Sequence, residues 1–287
     1  MQTLRLCYQI ALDAFYRFNA DDGWAIASHI ALSALMSLFP FLILVAALAP
    51  YFGTTDLANE VAKILLEAWP TQVATPLARE VQNVLGTARG DVLTIGVLLA
   101  IFFASSGIES LRIGLNRAYG VAETRSWWLL RLESIGYVIV AAIGLLALAF
   151  LVVLAPLIFA TAVRYVPALD PLWAMFNFLR LATAATVFIV ALFIVHKWLP
   201  AGRRPLSQIW PGIVITLMLW LLAGELFGDY LSGFAYTYVT YYAGLASVMM
   251  ALVFLYLTAS IFIYGAELNT VIGKWREEKA SQPVLQA

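Results

Sequence analysis

Residues 230–266 contain no Asp, Glu, Lys or Arg. A charge-free run of that length exceeds the roughly 20 apolar residues that cross a hydrocarbon layer about 30 Å thick. A soluble helix interrupts its apolar stripe with solvent-facing polar residues, and this run has no such interruption by charge. The surrounding stretch, 210–269, therefore reads as two membrane spans, with apolar runs at 211–224 and 243–266. An aromatic connection between them contains Glu225 and Asp229 but no basic residue.

The rest of the chain is of the same kind. It is 63% apolar and 12% charged, against about 25% charged residues in ordinary soluble domains. We expect an all-α, polytopic membrane protein with about six transmembrane helices. Its 17 basic and 17 acidic residues cancel, so net charge gives no reason to expect a nucleic-acid partner. The single cysteine, Cys7, excludes an internal disulfide and a cysteine-based metal site. No cofactor, metal or catalytic group is expected.

Taken in order, residues 1–23 are expected to form an interfacial helix, with Leu4, Tyr8, Ala11, Leu12 and Phe15 on one face. No cleavable signal peptide is expected, because Asp13, Asp21 and Asp22 interrupt the early region. The membrane domain is placed at 24–273. Its first span covers about 24–50 and has Pro40 near the middle, where a kink is expected. Residues 51–90 are too polar to span and read as an outer helical hairpin. One limb carries Leu57, Val61, Ile64 and Leu65; the other carries Leu77, Val81, Val84 and Leu85. The second span, about 91–107, continues as a helix through Arg117. The third and fourth cover about 134–163 and 172–195, and 274–287 is a polar tail.

Of the seventeen Lys and Arg residues, this six-span arrangement places only Lys63, Arg79, Arg89, Arg164 and Arg180 on the outer side. The positive-inside bias then puts both termini in the cytoplasm.

Polar residues at the ends of apolar helices are the candidates for function, since an ionisable group in a span is costly without a role or a partner. They are His29, Glu109, Arg112, Asn116, Arg180, Glu225, Asp229, Glu267 and Asn269. Glu109, Arg112 and Asn116 share a helical face that must turn from lipid toward water, headgroups or protein. His29 can relay a proton, contact a substrate or simply bond to a neighbouring helix. Arg180 can snorkel to the interface. Glu225 and Asp229 stand four apart and would repel on a helix if both were charged.

Four segments carry a family resemblance: ALSALMSLFPFLIL at 31–44, GLNRAYGV at 114–121, WPGIVITLMLWLLAGELFGDYL at 210–231 and YYAGLASVMMALVFLYLTASIFIYGAELN at 241–269. In this order and spacing the chain resembles the YihY/BrkB family of bacterial inner-membrane proteins, once labelled ribonuclease BN-like. The family's Pro-Gly pair corresponds to Pro211 and Gly212, and its Gly-Ala-Glu-Leu-Asn ending to 265–269. The alanine that usually follows the family's Pro-Gly is replaced here by Ile213. Some relatives are associated with envelope integrity, serum resistance or lipopolysaccharide-precursor handling.

That resemblance and the bracketing polar residues lead to the expectation of a transporter or flippase-like protein of the cell inner membrane. It would handle an amphiphilic or anionic envelope component, with membrane lipids as partners and protons as the coupling ion. A non-enzymatic scaffold or envelope-assembly factor is the alternative, and oligomerisation stays open. The topology sets Asp229 and Glu267 on opposite sides of the membrane, which argues against a carboxylate pair doing acid–base chemistry.

Overall fold

A computed structural model describes residues 2–48, 56–67, 74–75, 78, 93–166, 171–242 and 245–281. Eight helices account for nearly all of them: α1 (Gln2–Ala20), α2 (Gly23–Leu48), α3 (Asp56–Glu67), α4 (Leu93–Ala118), α5 (Trp127–Tyr165), α6 (Trp173–Trp198), α7 (Leu206–Tyr242) and α8 (Ala246–Ser281). Six are long and apolar enough to cross a membrane: α2, α4, α5, α6, α7 and α8. The protein is an all-α polytopic membrane protein. No strand occurs among the described residues.

Of the hairpin at 51–90, α3 is described, and its Val61 is fully buried. The limb built on Leu77, Val81, Val84 and Leu85 lies outside the described residues.

Two compact units are present. One comprises Met36–Ile108 and Trp128–Ala191. Its core joins Leu44 and Val45 of α2, Val61 of α3, Ala104 of α4, and Val138, Ala142, Leu146 and Ala149 of α5. The α5 positions are three or four apart, so they form one helical stripe. Two small residues in it, Ala142 and Ala149, let neighbouring backbones come close, which is the main route to helix association in lipid. Arg131 of α5 donates to the Phe102 carbonyl and lies 3.8 Å from the Phe102 ring centroid, so its charge is covered by a π face.

The other unit comprises Met1–Leu35, Glu109–Trp127 and Leu192–Ala287. Helix α1 packs on α8: Ala14 is buried with Leu268 and Val271, and Ile10 and Tyr264 close around them. The Tyr264 hydroxyl donates to the Ala11 carbonyl at 3.1 Å. The packed face of α1 is rotated from the one the sequence suggested. Ala14 and Phe18 are buried, while Tyr8 and Phe15 are exposed. A small alanine permits closer helix approach than the larger rings do.

Helix α7 runs on past Gly224 to Tyr242, through the stretch expected to be a connection. Rings at helical spacing line this extension. Phe227 stacks near Tyr230 (6.2 Å between centroids) and against Phe254 of α8 (5.8 Å), and Tyr230 stacks on Phe234 at 4.9 Å. Glu225 and Asp229 therefore stand one turn apart on a helix, and both are exposed.

Candidate functional site

The polar groups of the second unit meet where α7 begins. Pro211 has no amide hydrogen, so the Ser207 carbonyl loses its ordinary helical donor. Arg276 of α8 supplies a replacement, its Nη1 donating to that carbonyl at 2.8 Å. The next amide, Gly212 N–H, donates to Asn269 Oδ1 at 2.7 Å. The first turn of α7 is thus hydrogen-bonded in part by side chains of α8.

Glycine is needed on both helices for this approach. A Cβ at Gly212 would collide with the Gly265 carbonyl oxygen and lie 2.6 Å from Asn269 Nδ2. A Cβ at Gly265 would collide with Thr216 Oγ1 and sit 2.9 Å from the Gly212 carbonyl. Thr216 is fully buried, and its hydroxyl has no hydrogen-bond partner among the described residues.

The Gly212 amide also orients a chain of polar side chains. Because a backbone N–H can only donate, it fixes Oδ1 of Asn269 toward itself and turns Nδ2 away. Nδ2 donates to the Tyr119 hydroxyl at 3.4 Å. Burial pushes the Tyr119 pKa up to about 12, so the phenol keeps its proton. With its oxygen accepting from Asn269, Tyr119 donates to His196 Nδ1, 2.9 Å away. The His196 proton then belongs on Nε2, a tautomer set by the neighbour rather than by the ring itself. His196 is fully buried, its ring centroid is 4.8 Å from that of Phe262, and Nε2 has no hydrogen-bond partner among the described residues.

A second face of α8 carries Glu267, only 1% exposed. Arg17 of α1 donates from Nε to Glu267 Oε2 at 2.9 Å. Its Nη2 lies 3.4 Å from both Asp21 Oδ2 and the Ala118 carbonyl. Arg117 extends the network to Asp22 at 3.3 Å and Asp21 at 3.8 Å. Thr270 Oγ1 donates to the same Ala118 carbonyl at 3.0 Å. The other carboxylate oxygen of Glu267, Oε1, is enclosed and has no hydrogen-bond partner among the described residues.

The end of α4 supports both faces. Gly120, with φ 63°, closes the helix. Its amide donates to the Arg117 carbonyl and that of Val121 to the Asn116 carbonyl, each at 2.9 Å, the paired bonds of a Schellman cap. Asn116 accepts the Ala201 amide at 2.7 Å and donates to Glu123 at 3.0 Å. Arg125 grips Glu123 with two bonds of 2.8 Å and donates to the Leu199 carbonyl at 3.2 Å. Arg125 holds the Glu123 carboxyl down at about 2. Asn116 and Arg125 together tie the α6–α7 connection to the α4–α5 connection.

The predicted residues divide accordingly. Asn116, Glu267 and Asn269 enter these networks. Arg112 is almost wholly buried and Glu109 half-buried in the same unit. His29, Glu225 and Asp229 are exposed, and Arg180 belongs to the other unit. Sequence reasoning missed Arg17, Tyr119, Glu123 and His196 as site residues. The nearest signal was GLNRAYGV, which places Asn116 and Tyr119 one turn apart. Which helix Tyr119 meets could not be read from it.

Residues 14–286 match the family described as virulence factor BrkB. The chain belongs to the BrkB family. Among its relatives is YfkH of Bacillus subtilis, whose name describes it as ribonuclease-like; it is 26% identical over 94% of this chain and 98% of its own. A UPF0761 membrane protein of Coxiella burnetii is also 26% identical, over 92% of this chain and 93% of its own. A UPF0761 membrane protein of Idiomarina loihiensis is 24% identical, over 91% and 89% respectively. No solved structure matches this BrkB-family chain. Among its described residues, no group of three or more His, Cys, Asp or Glu could hold a metal ion.

Proposed function

We propose that this protein moves an amphiphilic or anionic component of the bacterial cell envelope across the inner membrane, as a transporter or flippase-like protein. Both termini are assigned to the cytoplasm, from the distribution of Lys and Arg. The observation that carries this reading is Glu267, enclosed in a membrane helix with Oε2 on Arg17 and Oε1 without a hydrogen-bond partner among the described residues. A half-satisfied buried carboxylate is an expensive anchor, whereas a group that exchanges a proton needs such an open position. Glu267 is therefore assigned the coupling role, and Arg17 the cation that it holds or releases.

The scaffold reading is favoured by a different observation. The Gly212–Gly265 crossing and the bonds of Asn116 lock neighbouring elements together, which suits a rigid assembly platform. The ribonuclease-like name of the Bacillus subtilis relative is said of that protein and is not extended to this chain.

Reconstitution separates the two readings. Purified protein in liposomes should accelerate transbilayer movement of fluorescent anionic lipids or envelope-precursor analogues, and Glu267→Gln should slow it at least tenfold. A folded protein that moves none of a broad panel removes transport. Movement that Glu267→Gln leaves unchanged removes the coupling role alone.

A further inference from the structure

The connection between α6 and α7 carries two arginines and no acid, and it is held rigidly. Leu199 and Ala201 are buried. The Ala201 amide is bonded to Asn116, the Leu199 carbonyl to Arg125, and the Ala201 carbonyl to Arg204 at 3.0 Å. Gly202 turns the chain at φ 85°. Arg204 is packed with its guanidinium carbon 4.0 Å from the Tyr119 ring centroid. Such a loop presents its cations from a fixed backbone.

Those cations lack carboxylate partners. Arg17, Arg117 and Arg125 each pair with an Asp or Glu. Among the described residues Lys197, Arg203 and Arg204 pair with none. Arg276 adds a cation at the same place, since it reaches the Ser207 carbonyl just beyond the loop. The first amides of α7 lie there too, where a helix favours negative charge.

Large apolar side chains flank the loop on both sides. Trp198 is 56% exposed, Leu206 50% and Trp210 48%. Exposed tryptophan at both helix ends is the usual mark of the headgroup level of a bilayer. A soluble anion would satisfy the arginines and leave these side chains unused. An amphiphile with a phosphate above an acyl chain matches both halves of the surface.

The geometry points to an anionic phospholipid site on the α6–α7 connection, with Arg203, Lys197 and Arg276 facing the headgroup phosphate, Arg204 holding the loop from within, and Trp198, Leu206 and Trp210 against the acyl chains. The assignment does not depend on transport, since a scaffold would use the same site as an annular anchor.

The test is lipid retention by the intact protein. Full-length protein in mild detergent is titrated with phosphatidylglycerol or phosphatidylcholine, and bound lipid is counted by native mass spectrometry. A preference for phosphatidylglycerol of about tenfold is expected, with at least a fivefold loss of it in the Lys197→Gln, Arg203→Gln double variant. Among the described residues these two side chains make no hydrogen bond that holds the loop, so the variant should fold, and its melting temperature in detergent verifies this. The Arg5→Gln variant serves as a charge control and should retain the preference. Equal retention of the two lipids, or an undiminished preference in the folded double variant, overturns the site. Displacement of the lipid by glycerol 3-phosphate at equal concentration overturns the lipid assignment, because the tryptophan face would then contribute nothing.

Discussion

The backbone amide of Gly212 donates to Asn269 Oδ1 at 2.7 Å, across 57 residues of sequence. The bond ties the backbone of α7 to a side chain of α8, and it sets the direction of the bonds running on to Tyr119 and His196.

Replacing Asn269 should therefore cost more than one side-chain bond. Asn269→Ala removes the side-chain acceptor of a buried backbone donor and the donor to Tyr119 together, a loss of about 1–3 kcal/mol. Asn269→Asp keeps an acceptor for Gly212 but can no longer donate to Tyr119, so the phenol is free to turn its proton from His196 toward the carboxylate. Thermal unfolding in detergent should rank the proteins wild type, Asp, Ala. The imidazole nitrogen shifts of His196 should change in the Asp variant.

Glycine substitutions should discriminate sharply by position. Gly212→Ala and Gly265→Ala each drive a methyl group into the opposing helix, and overpacking of this kind costs about 1–3 kcal/mol or more. Gly224→Ala and Gly233→Ala meet nothing within 4 Å, so helix propensity alone should apply, stabilising by up to about 1 kcal/mol. Equal melting temperatures for all four variants would contradict the close crossing of α7 and α8.

The Arg17–Glu267 pair should show strong non-additivity. Arg17→Gln leaves a nearly inaccessible carboxylate without its cation, whereas Glu267→Gln leaves an arginine that is still 25% exposed and in reach of Asp21. The arginine variant should be the less stable of the two. The double variant should recover part of the loss, with a coupling of about 1–3 kcal/mol. A double-mutant cycle on chemical unfolding in mixed micelles measures it.

Acid should loosen the clamp between the two connections. The Glu123 carboxyl titrates at about 2, mainly because Arg125 bonds to its charged form. A depressed folded-state pKa contributes stability that is complete above the ordinary value of 4.5 and is lost as pH falls toward about 2. Wild-type stability should decline across that interval, and Glu123→Gln should remove this component of the decline while lowering stability at neutral pH. Melting temperatures from pH 7 to pH 2.5 test both statements.

Hydropathy made the spanning helices legible because transfer into lipid is largely a property of each segment by itself. All six appear near their expected places, although α5 begins at Trp127 and α7 persists to Tyr242. The α7 extension escaped the reading because glycine, tyrosine and two acids resemble a connection in composition. Stacking of Phe227 on Phe254 of α8 stabilises it as helix.

The candidate site was less legible. Asn269 and Glu267 were visible as polar marks at a helix end, but His29, Glu225 and Asp229 carried the same mark and are exposed. His196 falls just past the fourth span expected at about 172–195 and is a fully buried ring in the last turn of α6.

By itself, then, the sequence determined that the chain crosses a membrane as helices and which residues interrupt their apolarity. Tertiary structure decided which interruptions meet. The rotation of each helix is set by close contacts between small residues, here Gly212 and Gly265. That rotation points Asn269 at a backbone amide, Glu267 at Arg17 and Glu225 outward. Hydrophobicity cannot encode such a choice, because in lipid every apolar face is equally well solvated and only packing and hydrogen bonding tell the faces apart.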